Sequence, residues 1–224
     1  MFSKERPAGR SFYRHFQYTI QKWLIFLKSM AYNRIQHRRA APPPPRYLQK
    51  GEMKMLDGKV AQLLNTQINK EFYSAYLYLY FSNFYDDKGL DGFANWYKVQ
   101  AQEERDHAML MMQYLQNNDM DVTLEAIDKP AADLSELIDP LKAGLTHERY
   151  VTQLIHTIYG AASEVKDFRT MQFLDWFVKE QGEEETNASD LVKKMELFGS
   201  DSRSLYLLDQ ELAARVYAAP SLVL

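Results

Sequence analysis

Glu103-Glu104-Arg105-Asp106-His107 and Glu180-Gln181-Gly182-Glu183-Glu184 decide the fold. Each run plants carboxylates three residues apart in a stretch whose apolar residues recur at helical spacing. Around the first run, Phe93, Tyr97, Ala101, Ala108, Met111 and Leu115 form a row that Glu104 interrupts, with His107 beside it one turn on. Around the second, Leu174, Phe177, Ala188, Leu191 and Met195 are interrupted by Gln181 and Glu184. Two further rows carry the same kind of break. Val60, Leu64, Ala75 and Tyr78 enclose Glu71, and Leu141, Leu145, Thr152, Ile155 and Tyr159 enclose Glu148. An ionised carboxylate does not sit in a core unless something cationic compensates it. Four helices, each with a ligand-type residue where Leu or Phe belongs, read as a metal site inside a bundle.

Working outward, the pattern from Leu56 onward is helical almost throughout. A first helix is predicted from about Leu56 to Tyr85, with Asp86-Asp87-Lys88-Gly89 as the turn. A second runs from Asp91 to Asn117 and ends at Asn117-Asn118-Asp119. Some twenty residues of weak periodicity containing Pro130 follow, long for a bundle connection. Extended, they can travel the ~40 Å length of a neighbouring helix. A third helix begins near Asp139-Pro140 and reaches about Val165, and a fourth spans about Arg169 to Phe198, with Gly199 as its stop. Asp201-Ser202 then cap a short fifth helix over roughly 203–216. The expected fold is all-α: a four-helix bundle with a long crossover between its second and third helices and a short C-terminal helix.

Composition narrows the chemistry. Of 224 residues none is Cys, which removes disulfides, thiolate zinc, iron–sulfur clusters and cysteine catalysis. The net charge of −3 hides an asymmetry: residues 1–52 carry 11 basic and two acidic side chains, leaving 16 basic and 28 acidic beyond them. The main body is therefore acidic, which suits cations and argues against nucleic acid as a partner. No run approaches the ~20 apolar residues that span a bilayer, so no membrane is expected for 55–224.

Two domains are expected, a basic extension over 1–54 and the helical domain over 55–224. Pro42-Pro43-Pro44-Pro45 separates them. The extension has three readings. It is a membrane-touching or transit-type segment, being Arg-rich and poor in acids, or a flexible tail. On the third reading it is not made, since Met53 and Met55 offer internal starts. Lys50-Gly51-Glu52 can be encoded by a purine run that looks like a ribosome-binding site ahead of Met55.

The ligand set explains the spacing. A Glu-x-x-His pair presents one carboxylate oxygen and one imidazole nitrogen from one face, a set that suits iron, manganese or zinc. Carboxylates from several helices can bridge two cations and cancel their charge. Without metal, four buried acids would repel and be driven to take up protons. A lone Glu-x-x-His is common on solvated helices, and Glu183, Glu184 and Glu185 alone make an ordinary charged face. Four stripes broken at matching depth do not fit that reading. His147 and His156 have no partner at ligand spacing and read as structural or surface residues.

Over 55–224 the chain resembles the bacterial non-haem ferritins. The resemblance rests on Leu64-Asn65 through Asn69-Lys70-Glu71-Phe72-Tyr73-Ser74, on Gln102-Glu103-Glu104-Arg105-Asp106-His107, on His147-Glu148, and on Trp176 through Glu185. It implies a cytoplasmic homo-oligomer, a hollow cage of 24 bundles that oxidises Fe(II) with O2 or H2O2 and stores the ferric mineral. It further implies that Glu71, Glu104 and His107 hold one iron of a ferroxidase pair. Glu104 would bridge to a second iron held by Glu148 and Glu184, with Gln181 close by. Glu103, Glu180 and Glu183 match the family's third iron site, turned toward the cage interior. Tyr78 matches the tyrosine beside the di-iron centre, an electron donor; its alternative is a buried Tyr with a hydrogen-bonded hydroxyl. Arg105 stands where haem-binding bacterioferritins have Met, so no haem is expected. Residues 1–52 have no counterpart in the family pattern.

Two other functions compete with storage: a di-iron oxidase or peroxidase that does not store iron, and a non-catalytic cage subunit. The second acidic cluster and the terminal helix favour storage over the first, and the full ligand set tells against the second. Because every ligand-bearing stripe begins after Met55, deleting residues 1–54 is expected to leave folding, assembly and Fe(II) oxidation intact. Loss of the soluble assembly in the truncated protein, read by size-exclusion chromatography, would contradict this.

Overall fold

The computed structural model describes residues 56–224, so both the 1–54 extension and the boundary drawn at residue 54 lie outside the described residues. Five helices make up the described chain: α1 Gly58–Asp86, α2 Asp91–Asn117, α3 Asp139–Glu164, α4 Phe168–Phe198 and α5 Ser202–Ala213. The first four match the elements expected from periodicity to within a residue or two. The fifth ends at Ala213 rather than near 216, and residues 214–224 leave it as irregular chain.

Local chemistry sets most of the helix ends. The Asp57 carboxylate accepts from the backbone N–H groups of Lys59 and Val60, at 2.8 and 3.3 Å. Asp167 and Asp201 likewise cap Thr170 and Ser204, and Pro140 sits in the first turn of α3. Gly89 adopts the left-handed φ of 71° that the turn into α2 requires. Gly199 ends α4 for a different reason, since its φ is −69°. A Cβ there would lie 2.6 Å from the Met195 carbonyl oxygen, so only glycine fits.

α2 has no side-chain cap within its own sequence. The cap comes from α5. Asp209, 5% exposed, accepts from the N–H groups of Gly92 and Phe93 at 2.8 and 3.1 Å. The approach is close enough that a Cβ on Gly92 would lie 1.7 Å from the Asp209 carbonyl oxygen.

The crossover between α2 and α3 is pinned along α1 in register. Asn65 bonds Asp121 and Thr123, Asn69 bonds Ala126, Tyr80 bonds Ala132, and Tyr85 bonds Leu137 at 2.6 Å. Partners advance together along both segments, so the connection runs the length of α1 and delivers α3 parallel to α2.

The apolar rows close into two clusters. One joins Leu64 and Ile68 to Met111, Leu115, Ile155 and Phe177; the other joins Tyr78, Phe81 and Tyr85 to Phe93, Tyr97, Leu141 and Leu191. Each fully buried Leu, Ile or Phe contributes about 1.5–3 kcal/mol. Between the clusters, at the waist of the bundle, lie the residues that broke the stripes. Because Gly92 and Asp209 interlock, Asp209→Ala is expected to cost about 1–2 kcal/mol, the loss of a helix cap. Gly92→Ala should cost more and detach α5. Thermal melting with hydrogen exchange over residues 202–213 reads both; unchanged α5 protection in Gly92→Ala would refute the interlock.

Candidate metal centre

Each of the four long helices brings ligand-type residues to the waist: Glu71 from α1, Glu104 and His107 from α2, Glu148 from α3, Gln181 and Glu184 from α4. All six are buried, between 1% and 6% exposed. One ligand atom each from Glu71, Glu104 and His107 lies within 4.8 Å of the other two. His107 Nδ1 stands 3.5 Å from Glu104 Oε2, and the edges of Trp176 and Phe177 fix the ring.

Amides hold the carboxylates in place. Gln67 Nε2 donates to Glu71 Oε1 at 2.8 Å, and Gln100 Nε2 donates to Glu184 Oε2 at 2.7 Å. Gln181 Nε2 donates to Glu148 Oε2 at 3.2 Å, and the Tyr78 hydroxyl donates to Glu148 Oε1. One atom is left over. Glu71 Oε2 is a buried side-chain oxygen with no hydrogen-bond partner among the described residues. A buried acceptor without a partner costs roughly 1–3 kcal/mol, and here its carboxylate lies beside Glu104 and His107. That donor set fits a divalent cation of the iron, manganese or zinc type.

The electrostatics agree. Burial, then repulsion from Glu104, pushes the Glu71 carboxyl up to about 8. Burial and Glu148 raise Glu184 to about 8, and burial raises Glu148 to about 7 against the hydrogen bonds from Tyr78 and Gln181. Glu104 is also raised, by burial first and then by Glu148 and Glu184. Four acids at one waist cannot all ionise in an apolar core, so without cations they hold protons.

The remaining expected residues fall outside this waist. Glu103 is half-buried and ion-paired with Arg215; burial raises its carboxyl although Arg215 pulls the other way. Glu180 is partly exposed, and Glu183 is exposed with Lys179 2.9 Å away. Arg105 is exposed and pairs with Asp106. His156 is exposed, whereas His147 packs inward against Ser74 Oγ at 2.7 Å, where burial lowers its pKa to about 4 and keeps the ring neutral. Periodicity did not single out Gln67, Gln100 or Arg215. The first two carried a signal, since each lies four residues before a ligand-type Glu on the same face. Arg215 carried none.

A bundle with this crossover carries at its waist a carboxylate–imidazole set of the kind that suits a divalent cation. Residues 61–198 match the ferritin family, described as a ferritin-like domain. A bacterial non-heme ferritin from Campylobacter jejuni is 38% identical over 156 residues, covering 70% of this chain and 93% of its own. Another from Staphylococcus saprophyticus is 36% identical over 163 residues, covering 73% and 98%. Among solved structures, an open-pore ferritin from the archaeon Archaeoglobus fulgidus superimposes with a TM-score of 0.71 at 42% identity, covering 73% of this chain and all of that one. The chain belongs to the ferritin family. None of its described helices is long and apolar enough to cross a membrane.

The raised carboxyls give a pH signature. In the ion-free protein they keep protons that the unfolded chain releases above about pH 4.5. The native state then binds more protons, so stability falls as pH rises. The contribution is full below the unfolded pKa and is lost as pH passes through about 7 to 8. The melting temperature of the ion-stripped protein is expected to drop over this range and that of the Fe(II)- or Zn(II)-loaded protein to drop less, because ions replace those protons. A melting temperature that rises in the stripped protein would speak against the buried acid cluster.

Proposed function

We propose that this ferritin is a cytoplasmic iron store with ferroxidase activity: it oxidises Fe(II) at a di-iron centre within each subunit and deposits Fe(III) mineral inside a 24-subunit cage. The observation that carries the reading is the buried waist of four Glu and one His, with Glu71 Oε2 left without a partner. Iron here is the substrate. Glu71 and His107 hold the first Fe(II), Glu148 and Glu184 the second, and Glu104 bridges them. Gln181 orients Glu148. Two Fe(II) supply the two electrons that reduce O2 to H2O2, or H2O2 to water. The carboxyls release their protons as the ions enter, which keeps the site near neutral. Tyr78 is an oxidisable side chain at the waist, and its hydroxyl already donates to Glu148, so a carboxylate stands ready for its proton when it gives up an electron. Glu103, Glu180 and Glu183 form a third iron site on the route to the interior.

Assembly is supported by apolar side chains that a lone subunit leaves in water. Tyr76 and Leu79 on α1 are each 50% exposed, and Tyr206 and Leu207 on α5 about 60%. Such patches mark interaction surfaces. A solved relative is described as an open-pore ferritin and an engineered variant of it as a closed form. The alternatives are a di-iron oxidase or peroxidase that stores nothing, and a non-catalytic cage subunit.

Two measurements test the proposal. A particle near 24 subunits in size-exclusion chromatography supports storage, and a dimer refutes it. In stopped-flow absorbance after mixing Fe(II) with aerobic protein, Glu104→Ala is expected to slow the fast phase more than about 100-fold, beyond the range for partners that only orient a ligand. His107→Ala should chiefly weaken one ion. A wild-type fast phase in Glu104→Ala would remove the di-iron assignment.

A further inference from the structure

Residues 214–224 form a strap across α2 and α4. Asn95 Nδ2 donates to the Arg215 carbonyl oxygen at 3.0 Å and reaches the carbonyls of Leu212 and Ala213, so it closes the end of α5 and starts the strap. The Tyr217 hydroxyl donates to Asp106, Trp176 Nε1 donates to Ser221 Oγ at 3.0 Å, and Leu222 packs on the core. The strap therefore has a fixed course along the helix that carries Glu104 and His107.

Its first anchor is Arg215. The guanidinium lies 4.0 Å over the Trp96 ring, and one nitrogen donates to the Trp96 carbonyl at 3.3 Å and to Gln100 Oε1 at 2.8 Å. The other nitrogen pairs with Glu103. Gln100 is 4% exposed, and its far end donates to Glu184. An arginine can only donate hydrogen bonds. It therefore holds the carbonyl end of the Gln100 amide and leaves the N–H end facing the carboxylate at the waist.

We propose that Arg215 is a positioning residue for the di-iron centre: from the strap it locks the Gln100 amide in the orientation that holds the ligand Glu184, and ties that orientation to Glu103. The inference rests on the di-iron reading above. Arg215 touches no site oxygen itself and acts through Gln100. With Arg215 gone, Gln100 loses its acceptor-side partner and is free to rotate, so Glu184 is held by a mobile amide. At the same time Glu103 loses its fixed counter-charge and holds a cation at the third site more tightly. The two consequences have opposite signs, weaker binding at the second ion and stronger binding beyond the pair. A lysine can neutralise Glu103 but lacks the planar fork that spans both partners.

The test is anaerobic Fe(II) calorimetry on the full chain, with melting temperatures recorded in parallel. Arg215→Gln is expected to weaken the second Fe(II) about tenfold, the low end for outer hydrogen-bond partners of metal ligands. The first Fe(II) should be unchanged and the third Fe(II), at Glu103, Glu180 and Glu183, should bind more tightly. Arg215→Lys should weaken the second ion without tightening the third. Gln100→Leu should reproduce the weakened second ion, and the double variant should be no worse than either single one, as for groups acting through one contact. Wild-type affinity for the second ion in Arg215→Gln would overturn the proposal. So would equal loss at both ions with a lowered melting temperature, the mark of a structural role alone. A wild-type chain that binds fewer than two Fe(II) would instead bring down the di-iron reading, and the proposal with it.

Discussion

Everything in this bundle is arranged around the repulsion among four acids at its waist. Glu71, Glu104, Glu148 and Glu184 come from four different helices and meet where an ordinary core would be driest. Apolar packing cannot cancel their charge, and the amides of Gln67, Gln100 and Gln181 satisfy only part of their lone pairs. The two hydrophobic clusters above and below carry the stability of the subunit. They leave the waist free to be unfavourable in the ion-free subunit. On the proposed reading the acids are a reservoir that trades protons for cations.

The fold was legible because the acids were visible as errors in an otherwise regular pattern. Val60, Leu64, Phe93, Tyr97, Leu174 and Phe177 were read as inward-facing and are buried. Glu71, Glu104, Glu148 and Glu184 broke those rows and share their burial. Acids a single step of helical rotation apart differ in burial. Glu104 and Glu184 are buried, whereas Glu103 is half-buried and Glu183 exposed.

Illegible features share a cause: they depend on side chains meeting across long stretches of sequence with no periodic signal. The cap of α2 comes from Asp209, and nothing near Gly92 announces it. Helical propensity carried the fifth helix past its true end, because Ala214, Arg215 and Val216 are all tolerated in helices. Asn95 takes the last carbonyls of α5 instead, and the chain turns away. Gly199 was rightly placed as a stop, but through contact with Met195 rather than a left-handed backbone.

The Asp209 cap has a consequence for the order in which the molecule is made. It joins residues 117 positions apart. Synthesis runs from the N-terminus, and domains fold as their chain emerges. The first turn of α2 therefore leaves the ribosome well before its cap exists, and its N–H groups stay on water while α3 and α4 are still being built. Only when residue 209 appears can that turn be closed. A chain cut short before residue 209 would carry every side chain of the waist, yet keep an open helix end. The helix that carries Glu104 and His107 is thus closed only after residue 209 has been made.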